Sequence, residues 1–372
     1  MKLEGLRVLD LGMYLPIPVI TQMMADHGAD VISVEPPGGQ PSRAQAGIGP
    51  NGEPLWFNAM HRGKRSIVLD LKNPDEREAL LGLAAQADVF IESFRPGVAA
   101  RLGIDAATVR ARNPRLVYCS LSAFGQTGPL SARSGHDMVG QAYAGLLSLN
   151  AAPGELPVSP GAPAADMVSG LTAFTGILMA LYRRQATGLG DTIDISMSDS
   201  LFAFVPHYLS FVLADRARAS QHLADAVSGW AFYKVYVTRD GKPIALAGLE
   251  AHYARAFLTA VKREDLLEAV LGGPGPAQEH VKAELAVLFA TRDLIEWSAL
   301  LDELAISWAP VLDMVEAFDH PHARAREMVL SDGEGGLVLG TPLKFADEPG
   351  QVGRPPPALD EHRTEILRGG FG

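Results

Sequence analysis

The chain has 372 residues, of which 47% are hydrophobic and 20% charged, and it carries a formal net charge of −11. That length exceeds one ordinary core and predicts two domains of globular composition. The acidic balance excludes a broad nucleic-acid surface, which needs a basic stripe, but still allows a small anionic ligand held by local Arg and Lys.

The N-terminal MKLEGLRVLD lacks the apolar core of a secretory signal, and the apolar stretches are interrupted before membrane-spanning length. A cytoplasmic protein with no membrane or nucleic-acid partner is expected. LRVLDLG reads as a short strand closed by Gly12. VITQMMADHG has helical periodicity and stops at Gly28, and VISVEPPGG is a strand broken by Pro36, Pro37 and two glycines. SIVLDL, NPDEREALLGLAAQAD and VFIESF repeat the pattern, with Asn73 as an N-cap and Pro74 at the first helical position. RLVYCSLSAFG adds a strand that contains Cys119, the only cysteine, which reads as a buried strand residue. One thiol forms neither an internal disulfide nor a zinc site by itself, which fits a reducing compartment. Alternation of this kind predicts parallel strands with helices on both faces.

After the loop TGPLSARSGHD, residues 138–148 predict a helix and 152–165 a loop rich in Pro, Gly and Ala. A long helix follows, in which Met167, Leu171, Phe174, Leu178 and Leu181 recur at spacings of 4, 3, 4 and 3 and so predict one apolar face, ended by Gly188 and Gly190. In DTIDISM, Ile193, Ile195 and Met197 alternate with polar residues. The character changes near residue 200: a helical segment runs to 224, then WAFYKVYVT and PIALAGLE form a strand pair turned at Asp240-Gly241, and short helices continue to 327. The expected architecture is α/β. An open, Rossmann-like parallel sheet forms a large domain at 1–190 and 330–372. A linker spans 191–224, a smaller α+β domain 225–328, and a second connecting segment 328–345.

No G-x-G-x-x-G follows the first strand, and no Walker A sequence occurs. His320 and His322, two apart beside a proline, read as a capped turn between helices, so no metal site is expected. Two acid–base candidates remain, each in a glycine-rich context at a helix start. His136, in Gly135-His136-Asp137, would be kept neutral by the helix dipole and usable as a base, and amides at that helix start could hold a developing oxyanion. The bland alternative is a loop histidine with Asp137 as an N-cap. Asp166, in PAADMVSG, stands at the next helix start, where an N-cap is again the alternative. Met13, Met23 and Met24 could line an apolar pocket, although core packing explains methionines as well.

The segments MMADHGADVISVEPPGG, RGKRSIVLDL, ESFRPGVAARLGI, NPRLVYCSLSAFGQTGP, GHDMVGQAYAGLL, ADMVSGLTAFTGILMALYRRQATGLGDTIDISM and WAPVLDMVEAFDHPHARAREMV together carry a resemblance. The chain resembles, almost end to end, the family III (CaiB/BaiF-type) coenzyme A transferases, a group that also contains acyl-CoA racemases. The resemblance makes Asp166 the active-site aspartate: a nucleophile in transferases, and one of two proton-transfer residues in racemases. The histidine of GHD, here His136, is the other. AGLEAHY is similar to the racemase segment whose glutamate approaches the pair, which maps to Glu250. Ala231, Phe232 and Tyr233 match an AFY-like racemase segment, and no transferase-like glycine run occurs at 226–232. Two features lean toward the transferases. Ala162 stands where the racemases carry asparagine, and GPNGEPLWFNAMHRGKR has the longer loop of that branch. By resemblance Arg43, Lys64, Arg65 and Arg95 are the cations near the diphosphate and ribose phosphate, for which the Arg fork is suited. The alternative for each is a surface charge.

The resemblance therefore implies an interlocked homodimer acting on acyl-CoA thioesters, with no cofactor beyond the coenzyme A of the substrate. Three functions stay open: a racemase of 2-methylacyl-CoA, a transferase moving CoA between carboxylic acids, and an inactive CoA-binding protein. A racemase needs two bases flanking the α-carbon, a demand His136 and Asp166 meet. A transferase needs one attacking carboxylate.

Overall fold

Strand β1 (Arg7–Leu11) pairs with β2 (Asp30–Glu35) on one side and β4 (Val89–Glu92) on the other. With β3 (Arg65–Val68), β5 (Val117–Ser122) and β6 (Thr192–Ser196) the order is β3-β2-β1-β4-β5-β6, and every pairing is parallel. The protein is seen as a computed structural model that describes residues 1–44, 47–50, 52–151, 155–331 and 336–372. The first 3 residues of the loop expected at 152–165, and residues 332–335 of the connecting segment expected at 328–345, lie outside the described residues.

The connections are helical: α1 (Pro16–Asp26), α2 (Leu55–His61), α3 (Pro74–Ala84), α4 (Val98–Leu102) and α5 (Ala106–Arg112) separate the first five strands. Helices α6 (Asp137–Tyr143) and α7 (Ala164–Thr187) precede β6, and α8 (Met197–Phe204) follows it. As expected, the Asn73 side chain caps α3 by accepting the Asp75 amide at 2.9 Å. Side chains alternate across the sheet. Val8, Val31, Val89, Val117 and Cys119 join a core with α1 and α7, while Leu9, Ile32, Phe90 and Tyr118 join a second core with α3 and α5. Coverage of both faces explains why these strands are near-continuous apolar runs. Cys119 is accordingly a core residue, and burial pushes its thiol pKa up.

Helix α7 corrects one expectation. Of the periodic residues only Phe174 is buried; Leu171 and Leu178 are 46% and 39% exposed. The buried side is instead Ala165, Ser169, Gly170, Ala173, Phe174 and Ile177. Small residues face inward because α1 lies too close for larger ones: a Cβ added to Gly170 would stand 2.8 Å from the Pro16 carbonyl oxygen. The larger apolar residues are thereby turned outward.

The chain divides into two units. The first comprises Met1–Leu147, Ser159–Phe204 and Pro321–Gly372, and the second Ser148–Val158 and Val205–His320. Residues read from the sequence as the start of a linker thus form β6 and α8 of the first unit. In the second unit β7 (Tyr233–Val237), β8 (Pro243–Ala247) and β9 (Trp308–Pro310) form an antiparallel sheet. The β7–β8 turn falls at Asp240-Gly241, where Gly241 has φ +75°. Its core includes Phe232, Phe257, Phe289 and Trp297.

A buried ion pair fixes the end of β1. Lys64 and Asp10 are both fully enclosed, with Nζ 2.9 Å from Oδ2. Asp10 also accepts the Thr21 hydroxyl of α1 at 2.6 Å and the Gly12 amide at 2.8 Å. Removing one member of such a pair leaves an uncompensated internal charge. Lys64→Met should therefore lower the free energy of unfolding by about 3–5 kcal/mol, measured by urea denaturation. Gly170→Ala should cost about 1–3 kcal/mol through overpacking against α1, in contrast to the gain that alanine usually brings within a helix.

Candidate active site

In an open parallel sheet, the loops that leave neighbouring strands in opposite directions open a crevice at the strands' C-terminal ends. Here the order reverses between β1 and β4, and a cavity of about 370 Å³ lies at that point. Met13, Tyr14 and Pro16 line it from the end of β1; Ser93, Phe94 and Arg95 from the end of β4; Leu121 and Ser122 from β5. Arg133, Ser134, Gly135 and His136 close it from the loop before α6, and Asp166 from the first turn of α7. His136 and Asp166, 30 residues apart in sequence, thus line one cavity.

Neither aspartate caps its own helix. His136 is the N-cap residue of α6, without a side-chain cap bond, and Asp137 is the first helical residue. Asp137 reaches instead to the next helix: its Oδ1 accepts the amides of Ala165 and Asp166 at 2.7 and 3.2 Å. Its Oδ2 accepts Gln141 Nε2 at 2.7 Å. The same Gln141 amide donates to the Ala162 carbonyl at 3.2 Å, so the chain at the position of the missing asparagine is held by a glutamine of α6. Asp166 lies in the third helical position of α7, whose N-cap is Pro163. Desolvation, and then the Asp137 charge, raise its carboxyl to about 7, from an ordinary value of 3.8. A carboxylate so placed is poised near neutrality, as functional acids and bases commonly are.

Two hydrogen bonds tie the walls together. Ser93 Oγ accepts the Met13 amide at 3.0 Å, and Arg95 Nη2 donates to Ser134 Oγ at 2.9 Å. Beneath the β4 loop Glu92 is buried and accepts the Phe94 amide at 2.6 Å. Burial raises its carboxyl to about 7 against the downward pull of the Ser120 and Phe94 hydrogen bonds. A second cavity, of about 480 Å³, lies at the ends of β1, β2 and β3, lined by Val34, Glu35, Leu69, Asp70 and Lys72 among others. It shares Met13 and Phe94 with the first.

Of the cations expected near phosphates, Arg95 lines the cavity and the other three are engaged elsewhere. Lys64 is the enclosed partner of Asp10. Arg65 bridges Asp30 and Glu365, at 2.5 and 3.0 Å, and so holds the C-terminal helix Arg363–Gly369 to β3. Arg43 forks onto Glu35 with two contacts of 2.7 Å and stacks over Phe57 with its guanidinium 3.5 Å from the ring centre. These pairings correct the surface-charge alternative too, since all three side chains are largely buried. Glu250 is an exposed N-cap residue of the helix Ala251–Ala260 in the second unit, with no side-chain cap bond. Of the methionines, Met13 lines both cavities and Met24 is core. Sequence reading missed Tyr14, Ser93, Glu92 and Arg133. The ESFRPG segment and the polar loop before GHD were the available signals for three of them; nothing in GMYLPIP marks Tyr14.

The chain is similar to known proteins over nearly its whole length. The chain is 33% identical over 377 residues to acetyl-CoA:oxalate CoA-transferase of Acetobacter aceti, covering 98% of this chain and 95% of that one. It is 33% identical over 376 residues to alpha-methylacyl-CoA racemase of Mus musculus, covering 99% and 93%. The crystal structure of a CAIB/BAIF family protein from Brucella suis superposes with a TM-score of 0.86 at 30% identity, covering 98% of both chains. These relatives make the chain an enzyme, a CoA transferase or an acyl-CoA racemase. The profile of CoA-transferase family III matches residues 3–363, and the chain belongs to that family.

Proposed function

We propose that this enzyme racemises 2-methylacyl-CoA thioesters by two-base transfer of the α-proton between His136 and Asp166. The observation that carries the reading is that both groups line one cavity, with the Asp166 carboxyl raised to about 7. Imidazole and carboxyl can each take up and give a proton, so the two groups can exchange the roles of acid and base. One removes the α-proton, the electron pair moves onto the thioester carbonyl, and the other delivers a proton to the opposite face. The Asp137 and Met138 amides, at the start of α6, have no backbone acceptor among the described residues and supply donors for the enolate oxygen. The second cavity, which shares the lining residues Met13 and Phe94 with the first, would take the nucleotide end of the coenzyme, with Arg95 and Lys72 near its phosphates. Leu171, Leu178, Met179 and Tyr182 form an exposed apolar strip on α7 that supports a homodimer. The enzyme would act in the cytoplasm.

A second reading has its own support. Ala162 offers no side-chain partner to the site, and relatives of similar identity include transferases of oxalate and of succinate and glutarate. In that reading Asp166, which accepts no side-chain hydrogen bond among the described residues, attacks the thioester carbonyl and expels CoA thiolate. The thiolate then attacks the aspartyl carbonyl and releases the donor acid as its carboxylate, leaving aspartyl-CoA. An incoming carboxylate attacks that thioester and expels the thiolate, forming a second mixed anhydride; the thiolate attacks its acyl carbonyl, which gives the new acyl-CoA and frees the Asp166 carboxylate.

Incubation with a 2-methylacyl-CoA in heavy water separates the two. Racemisation places deuterium at the α-carbon with inversion in part of the product, and His136→Ala abolishes it. CoA transfer to added succinate or oxalate, without deuterium uptake, would overturn the first reading in favour of the second.

Asp166→Asn should abolish either reaction and also report the burial of the charge. Because the folded carboxyl titrates near 7 and the unfolded one near 3.8, the folded protein binds the proton more tightly. The group's stabilising contribution is full below about pH 4 and is lost as pH rises through about 7. The Asn variant should therefore exceed the parent in stability at pH 8, by on the order of 1 kcal/mol after solvent screening. By urea denaturation the gain should shrink at pH 5.

A further inference from the structure

Tyr14 has φ +64°, in the left-handed region that residues with a Cβ avoid. Glycine would fill this place without strain, and Gly12 stands only two residues earlier. The chain instead carries a large ring, and that ring is not needed for the core, being 40% exposed. Its contact is with His136: the ring centroids are 5.5 Å apart and the planes 88° to each other, an edge-to-face arrangement. Both residues line the cavity that Asp166 also faces. His136 is itself exposed and makes no cap bond, so nothing in α6 fixes its ring. Strain kept at a residue of the site wall, beside a ring with few other restraints, is the pattern expected where geometry has been kept for function at some expense of stability.

We propose that Tyr14 is a positioning residue: its ring, held from the end of β1 in a strained backbone conformation, sets the orientation of the His136 imidazole toward the reacting centre. The proposal rests on the reading of His136 as a proton-transfer group, but the contact itself can be tested apart from that reading. The ring, not the hydroxyl, makes the contact, so Tyr14→Phe should behave as the parent. Tyr14→Gly relieves the strain and removes the ring together.

The test measures three quantities on the parent and both variants: stability by urea denaturation, the His136 ring signals by NMR with labelled histidine (assigned by their loss in His136→Ala), and kcat and KM for deuterium uptake into a 2-methylacyl-CoA. Tyr14→Gly should be at least as stable as the parent, should shift and broaden the His136 signals, and should lose kcat by about 10- to 100-fold, the scale of a misplaced catalytic group. KM should change by less than about threefold, as for an interaction used in the chemical step. Tyr14→Phe should keep the parent's His136 signals and stay within about threefold in kcat. A Gly variant with unaltered His136 signals and parental kcat overturns the proposal. So does one that loses stability, since the ring would then be structural, and so does a Phe variant as impaired as the Gly variant. If the parent takes up no deuterium, the racemase reading fails by itself, and the NMR and stability comparisons still decide whether Tyr14 positions His136.

Discussion

The Asp137 carboxylate joins two helix starts, and the geometry of the site depends on that joint. Its Oδ1 takes the amides of Ala165 and Asp166, which open α7, while its own backbone opens α6 directly after His136. Acidic groups are favourable at helix starts, where backbone amides point outward and the helix dipole is positive. Here one carboxylate serves two such ends, and it thereby brings the residues that flank them into a common cavity. The same charge has an electrical effect. It lies close enough to Asp166 to add to the desolvation that raises that carboxyl toward neutrality. Positioning and tuning come from one residue and cannot be separated by replacing it.

A related device shapes the two strands on either side of the crevice. Asp10 and Glu92 stand in successive rungs of the β1–β4 ladder, Asp10 opposite Ile91 and Glu92 opposite Leu11. Each is buried, and each accepts the amide two residues further on, Gly12 at 2.8 Å and Phe94 at 2.6 Å. Satisfying those amides inside the protein lets the chain leave the sheet without stranding a buried donor. The loops that depart carry Met13 and Tyr14 on one side and Ser93 and Arg95 on the other, and a Met13–Ser93 hydrogen bond holds them together. The two carboxylates are balanced differently. Asp10 is neutralised by Lys64, whereas no cation pairs with Glu92 among the described residues, so burial shifts its titration instead.

Local chemistry made much of this legible in the sequence. The parallel sheet followed from alternating apolar runs and helical periods, the Asn73 cap from Asn-Pro, and the hairpin from Asp-Gly. The helix-start contexts of His136 and Asp166 were also visible. The features that were not legible depend on distance in space. Periodicity in α7 marks where large apolar residues lie, but α1 approaches so closely that the buried side had to be the small one. Lys64, Arg65 and Arg43 sit in motifs whose residue types suit phosphate as well as carboxylate. Their partners Asp10, Asp30 and Glu35 lie on other strands and decide which. The backbone strain at Tyr14 has no sequence signature, because a tyrosine in an exposed loop is unexceptional until its φ and its neighbour are seen.

Burial of one carboxylate has consequences that both kinds of family chemistry could use. A carboxyl that titrates near 7 is present in both protonation states under ordinary conditions, which suits a group that must alternately take and return a proton. The same desolvation weakens the hydration of the ionised form, so the fraction that is charged meets a thioester carbonyl with fewer waters to displace. Asp166 therefore does not distinguish proton transfer from acyl transfer by its own properties. The difference must lie in a second group. Acyl transfer needs nothing on the far side of the α-carbon, whereas racemisation needs an acid–base residue there, held closely enough that each turnover meets it in the right orientation. The racemase reading gives that place to His136, which stands at the start of a separate helix in edge-to-face contact with Tyr14. On the reading proposed here, the choice between the two chemistries falls to the side of the cavity formed by β1 and α6, while the carboxylate on α7 stays common to both.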